Sequence, residues 1–178
     1  DAALHQGTPT FTVNDNRGLA VRFIQYHRQS VGETPDARLT RSTYTPQGHP
    51  HTNTDPRLYD NGQVNQTQVN AVSGTPLKVD SVDAGWRVAL PDIEGAPYKE
   101  WEENGTTRRY DYDEALHRPL AVHEQKASIN NGIEQVTERY VYGERPQSGH
   151  NLNLQVVRHY HQGGRVETDS LSVSGQPL

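Results

Sequence analysis

Residues 106–122, TTRRYDYDEALHRPLAV, decide how the chain is read. Asp111 and Asp113 stand two positions apart among Arg108, Arg109, Tyr110 and Tyr112. In a strand such residues share a face, separated by two rises of about 3.3 Å each, or about 7 Å in all, which falls within the carboxylate spacing of an inverting glycosidase. A catalytic pair also needs surroundings that drive its two pKa values apart, and two neighbouring arginines keep both carboxylates ionised. It needs a pocket and a third group as well. Asp113 stands where the strand ends, and there an aspartate accepts backbone N–H groups and opens a turn. The stretch reads as strand, turn, strand.

The same unit recurs along the chain. Copies are FTVNDNRGLAVRFIQY (11–26), RSTYTPQGHPHTNT (41–54), NAVSGTPLKVDSV (70–82), WRVALPDIEGAPYKEW (86–101), RRYDYDEALHRPLAV (108–122) and a truncated LSVSGQPL (171–178). Their turn positions are Gly18, Gly48, Gly74, Gly95, His117 and Gly175, in steps of 30, 26, 21, 22 and 58 residues. The last step leaves room for a further unit in TERYVYGERPQSGHNLNLQVVRHY, centred near residue 149. Short strands at this spacing with turn chemistry between them predict an all-β chain of repeated antiparallel hairpins, a single segment over 1–178. Glycine at each turn exit supplies the positive φ that a side chain resists.

The period of two places Trp86, Val88 and Leu90 on one face against Arg87 and Ala89 on the other. It likewise pairs Tyr110 with Tyr112, and Tyr140 with Tyr142, giving the sheet an aromatic side. Helical spacing of apolar residues does not persist over ten positions anywhere, so no helix is expected. Loops are expected at 28–37, 125–134 and 143–151, where polar residues, glycine and proline gather.

Composition bounds the function. Of 178 residues 31% are hydrophobic and 22% charged, and the mean hydropathy is -0.92, so the core must be thin. Nine tyrosines and two tryptophans nonetheless exceed what a solvated tail carries, and point to an ordered sheet with one wet face. A net charge of -5 with no basic cluster excludes the phosphate-neutralising surface of a nucleic-acid binder and turns attention to protein partners. The absence of cysteine removes disulfides, thiolate chemistry and cysteine-ligated zinc. No window reaches the roughly 18 apolar residues of a membrane span, and the start DAALHQGTPT lacks the regions of a signal peptide. With no methionine even at position 1, the chain is expected to be processed or a piece of a longer protein.

Two histidine pairs, His49 with His51 and His159 with His161, read as strand neighbours able to share a metal, but two ligands leave a site incomplete. Asn-x-Thr sequons at 65–67 and 104–106 matter only in a eukaryotic secretory route. There is no phosphate-binding glycine loop, no nucleophile elbow and no zincin helix. No catalytic, cofactor or metal residue is assigned, and three readings stand. The chain is a structural segment of a larger assembly, a carbohydrate- or surface-binding β module using Tyr110, Tyr112, Trp86 or Trp101 as stacking platforms, or a small hydrolase on Asp111 and Asp113.

The hairpin GTTRRYDYDEALHRPLAV resembles the tyrosine-aspartate repeat of the RHS/YD-repeat proteins, in which Tyr-x-Tyr-Asp runs through a turn into Arg-x-Leu. Tyr110, Tyr112, Asp113, Arg118 and Leu120 match that pattern. FTVNDNRGLAVR, TDPRLYD, SGTPLKVDSVDAGWRVALPDIEGAP and QVTERYVYGE are more particularly similar to the N-terminal part of the TccC-like C components of bacterial ABC toxin complexes. That similarity runs from about Leu4 to Leu178, and the start LHQGTPTFTV resembles the start of those proteins.

The resemblance implies a curved, spiralling sheet that forms part of a hollow shell around the toxic C-terminal region of the parent chain, completed by a B component. It also implies secretion, docking of the loaded shell on a pore-forming A component, no membrane insertion by this segment, and an autoprotease whose residues lie beyond it. Asp55, which precedes a proline, stands too early in the chain for that protease. Near Asn153 and Leu154 the family is expected to carry a small residue, and His117 takes the usual place of a turn glycine.

Overall fold

Alternating side chains, punctuated by a turn residue every ten positions or so, leave the chain almost entirely in strands. The computed structural model describes residues 3–144 and 150–178. Thirteen strands follow in chain order: β1 (Phe11–Asn14), β2 (Ala20–His27), β3 (Asp36–Tyr44), β4 (Pro50–Thr54), β5 (Gln66–Asn70), β6 (Pro76–Ser81), β7 (Gly85–Pro91), β8 (Pro97–Glu102), β9 (Thr106–Tyr112), β10 (Pro119–Lys126), β11 (Gln135–Tyr142), β12 (Val156–His161) and β13 (Gly164–Glu167). The chain divides into two compact units, Asp1–Val88 and Ala89–Leu178, with β7 running across the boundary. Within the first, β1 to β7 pair antiparallel with their chain neighbours, and within the second β8 to β13 do the same. The fold is all-β.

A register shift stands beside many of the turns. The ladder slips between Val13 and Asn14, Thr43 and Tyr44, Val69 and Asn70, and Val141 and Tyr142. Four even strands open on a proline (Pro50, Pro76, Pro97 and Pro119), where the missing N–H and the slipped ladder suit one another.

Burial is sparser than the expected sheet with one wet face. Among the described residues only Thr54, Thr106, Gly143, Leu152 and Leu171 are buried, and side chains on both faces keep contact with solvent. Gly143 is dictated by space: a Cβ there would lie 2.2 Å from the Leu152 carbonyl oxygen. In β7 the alternation holds from Trp86 to Val88, but Leu90, expected with them, is 40% exposed. His49 is not a strand neighbour of His51, because β4 begins at Pro50 and His49 closes the preceding turn.

One short helix, α1 (Pro56–Tyr59), stands where none was expected. It is a single turn that local signals suffice to form: Asp55 is its N-cap and accepts from the amides of Arg57 and Leu58, while Pro56 occupies the first turn, where no N–H is needed. Asp55 therefore serves as a cap. The hairpin centre expected near 149 lies outside the described residues. The amide that closes that hairpin belongs to Leu154, which donates to the Gly143 carbonyl (3.0 Å) with a φ of 63°. A leucine thus holds the place where a small residue was expected.

Candidate interaction surface at the turns

Each hairpin joining an odd to an even strand closes on the same hydrogen-bond frame. In the first, Gly18 N donates to Asp15 O (3.0 Å) and Asp15 N to Leu19 O (2.9 Å), while Asp15 Oδ1 accepts from the amides of Arg17 (2.8 Å) and Leu19 (3.0 Å). Asp92 repeats this with Gly95 and Ala96, its Oδ1 accepting from Glu94 N (2.9 Å) and Ala96 N (3.0 Å). Thr45 substitutes a hydroxyl, which accepts from His49 N (3.2 Å), and Ser172 does the same for Gln176 N (3.0 Å). Ala71 keeps only the backbone bonds to Gly74 and Thr75. Gly18, Gly48, Gly74, Gly95 and Gly175 have φ between 82° and 91°, the left-handed region.

The turn after Tyr112 is one residue longer. Asp113 N donates to Arg118 O (2.9 Å), and His117, at φ 53°, donates its amide to Asp113 O (3.1 Å). The Asp113 carboxylate accepts from Leu116 N (2.6 Å) and Ala115 N (3.1 Å) and, through its second oxygen, from Arg118 Nε (2.6 Å). The Leu116 amide and the Arg118 guanidinium hold its pKa below the ordinary carboxylate value. Asp15 is lowered chiefly by the Leu19 amide. At Asp92 partial desolvation opposes the shift, but the Ala96 amide, His117 and the Glu94 amide outweigh it.

At four of the turns the side chain just before the turn ties its hairpin to the one before. Tyr44 Oη donates to Ala20 O (3.0 Å), Tyr112 Oη to Pro97 O (2.7 Å) and Tyr142 Oη to Pro119 O (2.8 Å), in each case the carbonyl that opens the previous even strand. Asn70 does the same with its side-chain amide, donating to Pro50 O (2.6 Å). Long side chains add to these rungs. Arg17 donates to the Thr45 and Pro46 carbonyls (2.9 and 3.2 Å), and the His49 ring lies so close to Gly74 that a Cβ there would meet it at 3.0 Å. His117 stacks on Tyr112 at 4.5 Å and places Nε2 2.6 Å from Asp92 Oδ2, and the Arg118 guanidinium lies 4.2 Å above the Tyr142 ring. The repeat residues Tyr112, Asp113 and Arg118 are thus rung, turn opener and clamp. Tyr110 donates to Glu100 (3.1 Å), and desolvation together with that carboxylate pushes its pKa up to about 12. Leu120, the remaining residue of the pattern, is 36% exposed on β10.

The other sequence candidates are held in separate networks. Asp111 bonds Arg109 and lies 2.7 Å from His123 Nε2, while Glu134 approaches Arg109 (3.2 Å) and His123 Nδ1 (3.6 Å). Asp111 and Asp113 therefore answer to different cations and share no site. His159 stacks on Tyr140 at 4.4 Å and lies 3.0 Å from Glu138, with His161 tilted against it at 5.2 Å. His161 Nδ1 is taken by the Gly163 amide (3.0 Å), and His51 Nδ1 lies 3.3 Å from Gln68 O. Among the described residues no three His, Asp or Glu side chains are arranged to hold a metal. Tyrosines offered as stacking platforms are instead engaged through their hydroxyls.

No protein-family model matches the chain. Its whole length aligns at 34% identity with the toxin subunit YenC2 of Yersinia entomophaga and at 32% with YenC1, of which it spans 20% and 19%. Among solved structures it superposes over its full length, at 37% identity and a TM-score of 0.92, on the crystal structure of TcdB2-TccC3-TEV and on the Photorhabdus luminescens Tc holotoxin pore carrying TccC3-D651A. It covers 9% of each of those chains. Identity of this order over the whole chain, with a full-length structural match to TcdB2-TccC3, makes the chain homologous to the toxin subunits YenC1 and YenC2 and a TccC-like RHS-repeat region.

Proposed function

We propose that the chain is one continuous structural wall segment of a secreted bacterial toxin complex, enclosing the toxic C-terminal region of its parent chain together with a B component, and that it catalyses no reaction itself. The observation that carries this reading is the full-length match at TM-score 0.92 to structures containing TcdB2 and TccC3. The geometry favours it too. A sheet with five buried residues among those described, whose hairpins are tied by tyrosine rungs, gains stability from neighbouring repeats in the manner of solenoids. Its partners on this reading are the B component, the parent chain's own toxic region and, through the assembled shell, the pore-forming A component. It acts outside the bacterial cell.

The test is protection of the cargo. The parent protein co-expressed with its B component should form a stable complex whose C-terminal region resists trypsin under native conditions and is cleaved once the complex is unfolded. A parent protein that stays monomeric beside the B component, or a C-terminal region as sensitive inside the complex as outside it, refutes the reading.

A further inference from the structure

Of the seven arginines of the first unit, four have a partner, and Arg87 on β7 makes no side-chain ion pair or hydrogen bond among the described residues. Arg17 pairs with Asp15, Arg38 with Asp36, and Arg57 with Asp55 and Asp83, while Arg28 donates to the carbonyls of Ala3, Leu4 and Gln6. Arg22 and Arg41 are different. They stand directly opposite each other on β2 and β3, and among the described residues neither side chain makes an ion pair or a hydrogen bond. Like charges directly opposite on one face of a sheet repel, with Cβ atoms about 5 Å apart.

Nothing on that face neutralises them. The row continues through Val13 on β1 and Thr54 on β4. One step along the strands lie Phe11, Ile24 and Leu39, and one step the other way Thr43 faces Thr52. None is acidic. Arg22 and Arg41 are among the residues lining an open groove of about 340 Å³, with Val13 and Thr43 on their own face, Arg17 in the turn before β2, and Val21, Ser42 and Tyr44 on alternate positions, and the Arg17 head is already held by Asp15 and two carbonyls. Beside them Phe11 and Val13 are 47% and 42% exposed.

We propose that Arg22 and Arg41 form a binding site for an acidic, partly apolar segment of a partner polypeptide, whose carboxylates sit across the two guanidinium groups while its apolar side chains cover Phe11 and Val13. Paired arginine forks suit carboxylate oxygens. A nucleic-acid backbone fits less well, since the unit has eight acidic and eight basic side chains and offers no extended positive field. The site is argued from these residues alone and stands whether or not the segment forms part of a shell.

The probe is a synthetic peptide of alternating glutamate and valine, followed through the arginine Nε–Hε resonances of the protein. The expected result is saturable, salt-weakened shifts confined to Arg22 and Arg41, lost at least about tenfold in R22Q/R41Q. The same binding should survive R87Q, which removes an exposed arginine elsewhere. The reversed pair R22E/R41E should take up an alternating lysine-valine peptide instead, a gain that only a folded protein can show. Absence of saturable shifts overturns the proposal, as does undiminished binding by R22Q/R41Q. Equally tight binding of inorganic phosphate or single-stranded DNA at the same arginines would overturn the polypeptide assignment.

Discussion

The two units share one hairpin plan and differ in how they settle their charge. Residues 1–88 balance eight acidic against eight basic side chains, yet leave Arg22 facing Arg41. Residues 89–178 hold 14 acidic and nine basic side chains, carrying the whole net charge of the protein, and knit eleven of them into ion pairs: Arg108 between Glu102 and Glu124, Arg109 between Asp111 and Glu134, Arg118 on Asp113, Arg158 and Arg165 on Glu167. Net charge is thus a poor guide to available charge. Among the described residues each unit leaves some cations without an ion pair, including Lys126 and Arg139 in the second and Arg22, Arg41 and Arg87 in the first, but of these only Arg22 and Arg41 stand directly opposite each other.

Acid should separate the hairpins most. Asp15, Asp92 and Asp113 have pKa values below the ordinary 3.8, whereas Thr45 and Ala71 open their turns without a carboxylate. A group whose folded pKa is depressed contributes stability that is present above its unfolded value and is lost as pH falls through the folded one. Amide exchange at Leu19, Ala96 and Leu116 should accelerate as the pH drops below 3.8, relative to the acid-independent frames at Gly48 and Gly74. Uniform loss across all five turns would mean that the frame, and not the carboxylate, holds the Asp-led hairpins.

The rungs come next. Tyr112→Ala removes a half-buried ring, its stack on His117 and the bond to Pro97 O, and should cost about 2–3 kcal/mol in denaturant unfolding. Asn70→Ala, which removes the corresponding rung of the first unit, should cost only about 1 kcal/mol because a single hydrogen bond goes with it. Equal losses would show that ring packing contributes nothing. Turn backbones offer a change of opposite sign. Leu154, 47% exposed at φ 63°, should gain about 1 kcal/mol on replacement by glycine, while Gly74→Ala, at φ 91° with the His49 ring 3.0 Å from its new Cβ, should lose about as much.

These contrasts also mark what could be read from the sequence. Turn glycines were legible because positive φ and the recurring spacing are local properties, and Asp113 was legible as a turn opener because an aspartate bonds the amides that follow it. The helix at Pro56–Tyr59 had its signal in Asp55 and Pro56, but a search for a long apolar period passes over a single capped turn. The rungs had no local signal. Tyr44 reaches Ala20, and Tyr142 reaches Pro119, across strands whose register the chain does not spell out. Asn70 in a tyrosine's place and Leu154 in a glycine's place hide two copies of the unit from any pattern of residue types. The opposition of Arg22 and Arg41 is likewise a fact of register, since the two are 19 positions apart in sequence.

The smallest expected effect bears on that opposition directly. Arg41→Gln removes one of two like charges held across a strand pair with nothing acidic on the face to offset them, and it takes away no ion pair or hydrogen bond among the described residues. Cross-strand charge terms are worth about 0.2–1 kcal/mol, so the free protein should become more stable by about 0.5 kcal/mol, and less so in high salt, where the repulsion is already screened. Arg109→Gln in the second unit should do the reverse and destabilise, because it strips Asp111 and Glu134 of their shared cation. If Arg41→Gln also destabilises, the fold holds the arginine through packing of its stem, and the face is not waiting for a partner's carboxylates.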